Sequence, residues 1–188
     1  CLVGSEMCIR DRSTWDNYQS YASIISRELN ADLRCISMSG IGVMVSWYPL
    51  IMPQVYDRIN PNREFPKNDF TQWKPDIVVV NLLQNDDWLI NRLSPIPNTE
   101  ERIKHYANFI QSIRNQYQFA TIFCTLGNMN ITREKSPWPG VVQAAVDSLD
   151  DPKLFFTTMP YKNTGGHPTV SEHRQMADIL TPFIKSKI

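Results

Sequence analysis

Three short stretches of this chain carry residue types that could do chemistry. They are Ser39-Gly40-Ile41-Gly42, Gln84-Asn85-Asp86-Asp87 and Gly166-His167-Pro168. Glycine gives the first stretch the backbone freedom to bring a main-chain N–H close to a ligand. The second offers side-chain amides and carboxylates, and the third an imidazole. A backbone donor, an amide donor and a base form the non-nucleophile half of an acyl-transfer site. The donors would hold the oxyanion of a tetrahedral intermediate. The base would take a hydroxyl proton and return it to the leaving alcohol. Each stretch alone also has a plainer reading. A lone SGxG is an ordinary turn. Asn85 or Asp86 would cap a short helix through Trp88 and Leu89. A histidine before proline at a helix start is a loop or capping residue.

The elements that must position these residues can be read from the pattern. Ile77 to Val80 is an unbroken β-branched run, as expected for a strand covered on both faces of a parallel sheet. It breaks at Asn81 and runs into Gln84-Asn85-Asp86-Asp87. Leu33 to Met38 reads as a short strand ending at Ser39-Gly40. Ala120 to Leu126 is another, ending at Gly127-Asn128-Met129-Asn130, and Leu154 to Thr157 is the last. The spacing predicts helices over Thr14 to Asn30, with a stripe of Tyr18, Tyr21, Ala22, Ile25 and Leu29, and over Asn98 to Gln118. Asn98 or Thr99 caps the second, Ile103, Tyr106, Ile110, Ile113 and Tyr117 face the core, and His105 falls off that stripe. Further helical stretches are Val141 to Leu149 and a last helix capped by Thr169 or Ser171, with Met176, Ile179, Leu180, Phe183 and Ile184 inward. Pro49 to Asn60 is a short helix or turn with Tyr56 and Ile59 inward. The loop from Asn60 to Lys74 is pinned by Phe65, Phe70 and Trp73. Alternating helices and strands argue for an α/β fold with a mostly parallel sheet. In such a sheet ligands bind at the carboxyl ends of the strands, so the three polar loops share one edge.

Length and composition bound the reading. One domain is expected from 188 residues. Nineteen basic residues balance nineteen acidic ones, so nothing points to a nucleic-acid partner or a polybasic membrane patch. No apolar run approaches the roughly 20 residues needed to span a bilayer. Five Trp, seven Tyr and eight Phe suit either a solid core or a sugar-facing cleft. Trp47, Tyr48 and Trp88 follow strand-end loops and would either stack on a sugar ring or cover the core. Cys35 and Cys124 sit inside predicted strands as small apolar groups and lack zinc-site spacing. Residues 1–12, CLVGSEMCIRDR, show no helical or strand period and resemble a translation of sequencing-adapter DNA. They are expected to be non-native, with residues 13–188 forming the single domain.

With the motifs taken in order, the chain resembles an SGNH hydrolase of the GDSL esterase superfamily, and is most similar to the carbohydrate esterase family-two branch of acetylxylan esterases. The likeness rests on Ser20 to Ala22, Ser39 to Gly42, Tyr56-Asp57-Arg58, Lys74 to Asn81, Asn85 to Trp88 and Gly166 to His173. It covers roughly Thr14 to Ile188. The resemblance implies a three-layer, flavodoxin-like α/β/α domain. It implies a serine esterase that removes acetyl or similar small acyl groups from carbohydrate, with no metal or cofactor. It assigns Gly40 N–H and the Asn85 side chain to the oxyanion hole and His167 to the general base. Asp86 would shape the loop, and His173 would be structural. The family resemblance also suggests export.

Three departures from the family pattern bear on this. The Gly-Asp-Ser block with the nucleophile is missing, and Gly4-Ser5-Glu6 is a poor substitute. The serine and the first strand are therefore expected upstream, about 30 residues before Ser20, and the chain as it stands is expected to be inactive. Without its first strand it would expose two unpaired strand edges, unless residues 1–5 substitute. Leu83 occupies the usual glycine position of the third block, which bears on the loop backbone. Thr164 replaces the usual aspartate three residues before the histidine, which points to a Ser–His dyad rather than a full triad. The same departures fit a second reading, a non-catalytic SGNH-like module that binds glycans. A flavodoxin-like redox or nucleotide protein is the weakest reading, because the chain has no glycine-rich phosphate loop and no CxxC.

Overall fold

The structure, a computed structural model, describes residues 16–188 in full and the backbone of residues 2–4. Five parallel strands form one sheet: β1 (Leu2–Gly4), β2 (Cys35–Ser37), β3 (Ile77–Asn81), β4 (Thr121–Leu126) and β5 (Leu154–Thr158). Their order is β2-β1-β3-β4-β5. The first strand's place, between β2 and β3, is taken by Leu2–Gly4. Gly4 pairs with Ser37 on one side and Asn81 on the other. Residues 2–4 thus close the gap that an absent first strand would leave.

The sheet is covered on both faces, giving three layers. Successive side chains of a strand point to opposite faces. Val78, Val80, Ile122, Cys124 and Leu126 share one core cluster with residues of α4 (Thr99–Gln116) and α5 (Trp138–Ser148). Val79 and Phe123 join the other, with α1 (Tyr21–Glu28) and α6 (Val170–Lys185). Helix α4 begins at Asn98, whose side chain accepts the Glu101 N–H while Glu101 reaches back to the Asn98 N–H. That reciprocal pair satisfies two of the orphan donors of a helix start.

Several expectations change in detail. The first helix is shorter than predicted. Ser20, fully buried and extended, caps α1, and only a 3-10 turn over Asn17–Gln19 precedes it. Tyr18 therefore leaves the apolar stripe and stands exposed, with Arg27 stacked on its ring. The short helix of the 49–60 stretch is α2 (Met52–Val55); Ile59 and Phe65 are exposed, and Ile179 lies at the edge of exposure on α6. Phe70 does the pinning expected of the 60–74 loop, packed between Tyr56 and Tyr117. Cys124 is wholly buried in the core, and Cys35 Sγ donates to Ser37 Oγ (3.4 Å). Among the described residues no helix is long and apolar enough to cross a membrane.

Candidate active site

In the order β2-β1-β3-β4-β5 the direction of winding reverses between β1 and β3, and a crevice opens there at the carboxyl ends of the strands. The loop after β2 carries Gly40 and the loop after β3 leads into α3 (Gln84–Leu89), which carries Asn85 in its first turn. The cap of α3 is Leu83, not Asn85 or Asp86. It supplies no side-chain hydrogen bond and holds φ at +78°. That left-handed conformation costs a non-glycine residue about 1–2 kcal/mol. The fully buried Leu83 side chain offsets it with about 1.5–3 kcal/mol of apolar burial. The backbone at position 83 thus takes a conformation natural to glycine although leucine occupies it.

Freed from capping, Asn85 and Asp86 point their side chains at the Gly40 loop. Asp86 is wholly buried. Its carboxylate accepts the N–H groups of Val43 (2.9 Å), Met44 (2.6 Å) and Val45 (3.2 Å). Burial pushes its carboxyl up to about 6, against the opposing pull of those three donors. The wrap is tight enough to dictate Gly42. A Cβ there would lie 2.6 Å from Asp86 Oδ2 and 2.0 Å from the Val45 carbonyl oxygen. Asp86 therefore shapes the loop, as its neighbourhood to Asn85 suggested.

Gly40 sits at φ +79°, and a Cβ on it would meet Tyr48 Oη at 3.0 Å and Trp47 Cδ1 at 3.1 Å. Its carbonyl accepts the Trp47 N–H (3.1 Å), while its own N–H meets no backbone acceptor among the described residues. Asn85 is buried beside it. One Nδ2–H donates to the Ile41 carbonyl (2.8 Å) and Oδ1 accepts the Trp47 indole N–H (3.2 Å). An amide carries two N–H donors, and the second meets no acceptor among the described residues. The structure thus brings Gly40 and Asn85 together through Ile41 and Trp47.

His167 lies in the loop between β5 and α6, half-buried in a cleft of about 410 Å³ lined with Trp88, Met129, Asn130, Tyr161 and Thr164. Trp88 stands on α3, one turn past Asn85, and lines this cleft. Burial and the Lys162 charge hold the imidazole below its ordinary value, so it is neutral at pH 7. Its Nδ1 is buried and finds no hydrogen-bond partner among the described residues. Thr164 does not take up the imidazole. Its hydroxyl donates to Glu172 Oε1 (2.6 Å) and accepts from Lys162 Nζ (2.7 Å). A larger cavity of about 500 Å³ opens elsewhere, among residues such as Leu33, Lys74 and Pro75 that precede the strands, and it holds none of the candidate residues.

Sequence reasoning missed Glu172, although Thr169-x-x-Glu172 has capping-box spacing and could have signalled it. Glu172 accepts from the Thr169 N–H (2.7 Å) and from Thr164, and pairs with the buried Lys162 (3.4 Å). It pins the His167 loop to the start of α6. Burial pushes its carboxyl up, but the hydrogen bonds from Thr164 and Thr169 and the Lys162 charge outweigh it and hold it at about 2. A depressed folded value contributes stability that is present above the ordinary 4.5 and lost as pH falls from there towards 2. Glu172→Gln is expected to cost about 1–2 kcal/mol at pH 7, after discounting for solvent screening, and nearly nothing at pH 2. Urea unfolding at the two pH values checks this.

His173 is structural, as expected. It is buried, its Nδ1 accepts the Tyr21 N–H (3.3 Å), and its ring stacks on Tyr21. The Tyr21 hydroxyl in turn accepts from Asn81 at the end of β3 (3.0 Å). Ser5 lies outside the described residues.

No family model matches the chain. Among curated proteins it is 29% identical over 203 residues to the cellulase/esterase CelE of Acetivibrio thermocellus, covering 100% of this chain and 24% of that protein. It is 24% identical over 186 residues to the acetylxylan esterase / glucomannan deacetylase of Cellvibrio japonicus, covering 93% and 50%. The chain thus spans a quarter to a half of the curated relatives it matches. A solved family-two carbohydrate esterase from Clostridium thermocellum, in complex with cellohexaose, superposes with a TM-score of 0.83 at 28% identity, over 99% of this chain and 63% of that one. A family-two carbohydrate esterase from Cellvibrio japonicus superposes equally well, with a TM-score of 0.83 at 22% identity over 98% of this chain and 60% of that one, so the chain has the fold of solved family-two carbohydrate esterases.

Proposed function

We propose that this domain belongs to a serine esterase that removes acetyl or similar small acyl groups from carbohydrate. The observation that carries the reading is the oriented amide of Asn85 beside the Gly40 turn, with one N–H uncommitted among the described residues. In this reading a serine hydroxyl from outside the described residues attacks the ester carbonyl. His167 takes the serine proton and returns it to the sugar hydroxyl that leaves. Gly40 N–H and Asn85 Nδ2–H hold the oxyanion, buried where such donors act most strongly. Water then releases the acyl group by the same steps in reverse roles. The substrate is an acylated carbohydrate. The exposed faces of Trp88 and Tyr161 flank the His167 cleft, and aromatic faces beside amide and hydroxyl groups suit a sugar ring.

The test is to join the chain to its upstream coding sequence and assay p-nitrophenyl acetate with and without a serine-directed phosphonate. Hydrolysis that the phosphonate blocks is the expected result. A folded protein that hydrolyses nothing, yet binds oligosaccharide, supports the second reading of a non-catalytic glycan-binding module. The imidazole whose Nδ1 lacks a carboxylate partner among the described residues is the observation that favours that reading.

A further inference from the structure

Trp47 stands out because it is half exposed yet closely held. The residue is 53% accessible, but three contacts fix it. Its backbone N–H donates to the Gly40 carbonyl (3.1 Å). Its indole Nε1–H donates to Asn85 Oδ1 (3.2 Å). The Arg92 guanidinium lies 4.7 Å from its ring centroid, a cation–π contact that holds an exposed ring in place. The residue therefore touches both groups that would hold the oxyanion, one through its backbone and one through its side chain.

The consequence for Asn85 follows from donor and acceptor counting. An amide can turn its oxygen and nitrogen end for end about its last side-chain bond, and only its partners decide which end points where. With Oδ1 on the indole N–H and Nδ2 on the Ile41 carbonyl, every pairing is donor to acceptor. Turned over, Nδ2 would face the indole N–H and Oδ1 would face the Ile41 carbonyl, two repulsive pairs in a buried site. A hydrogen bond to the amide oxygen also polarises the amide and strengthens its N–H donors. Without the indole donor, one of the two constraints on orientation is lost, and the polarisation with it.

We propose that Trp47 is a positioning residue of the esterase site, whose indole N–H sets the direction and donor strength of the Asn85 amide. The proposal rests on the esterase reading above. It differs from a role as a sugar platform, which would use the exposed face of the same ring. Trp47→Phe separates the two, because it keeps an aromatic face beneath Arg92 while removing the indole N–H that Asn85 accepts.

The inference is tested on two readouts. On the chain itself, labelled with ¹⁵N and with the Asn85 side-chain signals assigned by their loss in Asn85→Ala, Trp47→Phe is expected to shift both Asn85 amide protons and speed their exchange about tenfold. Unmoved signals overturn the proposal. On the enzyme joined to its upstream sequence, with p-nitrophenyl acetate as substrate, kcat is expected to fall about tenfold with KM within twofold. Removing an oxyanion donor outright costs about 10²–10³-fold, so loss of its orientation is set below that. In an Asn85→Ala background the same change is expected to alter kcat less than twofold, because its route to the chemistry is gone. An unchanged kcat, a change confined to KM for sugar esters, or full additivity with Asn85→Ala would each overturn it. A wild-type enzyme that hydrolyses nothing refutes the esterase reading instead, and the amide signals then decide the role of Trp47 alone.

Discussion

His167→Ala is expected to lower kcat for p-nitrophenyl acetate by about 10²–10⁴-fold, the range for loss of a positioned general base, while leaving the domain folded. The two halves of that expectation have separate causes. Chemically, the imidazole is the base of the proposed mechanism, and the two other histidines are placed elsewhere. His173 is buried against Tyr21 and accepts the Tyr21 N–H, and His105 is exposed on α4. Structurally, His167 is half-buried and its Nδ1 holds no partner among the described residues. The loop is tied down instead by Lys162, Thr164, Thr169 and Glu172. Unfolding in urea should therefore shift by no more than about 0.5 kcal/mol. The pH dependence gives an independent check. The base works only when neutral, and burial and Lys162 hold its titration below the ordinary 6.5. Activity should persist below pH 6.5 and fall as pH drops further. A variant that retained full turnover would remove His167 from the mechanism.

The largest loss of stability is expected from Asp86→Ala. The substitution leaves the Val43, Met44 and Val45 N–H groups without the wholly buried carboxylate that accepts them. Each buried donor so stranded costs about 1–3 kcal/mol, and partial relaxation of the loop brings the sum to about 3–5 kcal/mol. Asp86→Asn keeps one acceptor oxygen but aims an NH₂ group at backbone donors, so it should fall between the wild type and alanine. Relaxation of this loop also carries Gly40 away from Asn85, so catalysis should fall in the same order as stability. Urea unfolding at pH 7.5 for the three proteins, with kcat beside it, measures both. Equal stability of Asp86→Ala and wild type would show that the loop is held by other means.

Much of the fold and some of the site were legible because they rest on local or periodic signals. The β-branched run of β3, the stripe and Asn98 cap of α4, and the Thr169 cap of α6 each arise from neighbours in sequence. The α/β class follows from their alternation, and the shared edge for Gly40, Asn85 and His167 follows from the rule that such sheets bind at their carboxyl ends. Element ends and exposure were less legible. Tyr18, Ile59 and Phe65 have the apolar character of core residues, but whether each is covered depends on segments far away in sequence. The same limit applies to Asp86 and Trp47. Nothing local distinguishes a capping aspartate from one that gathers three N–H groups some forty residues earlier, nor a sugar-stacking tryptophan from one whose N–H meets a distant amide. Residue types and order by themselves determined the fold class and the kind of chemistry available. Only the tertiary structure decided which groups aim and hold those residues, because such contacts span long sequence separations and leave no periodic trace in the chain.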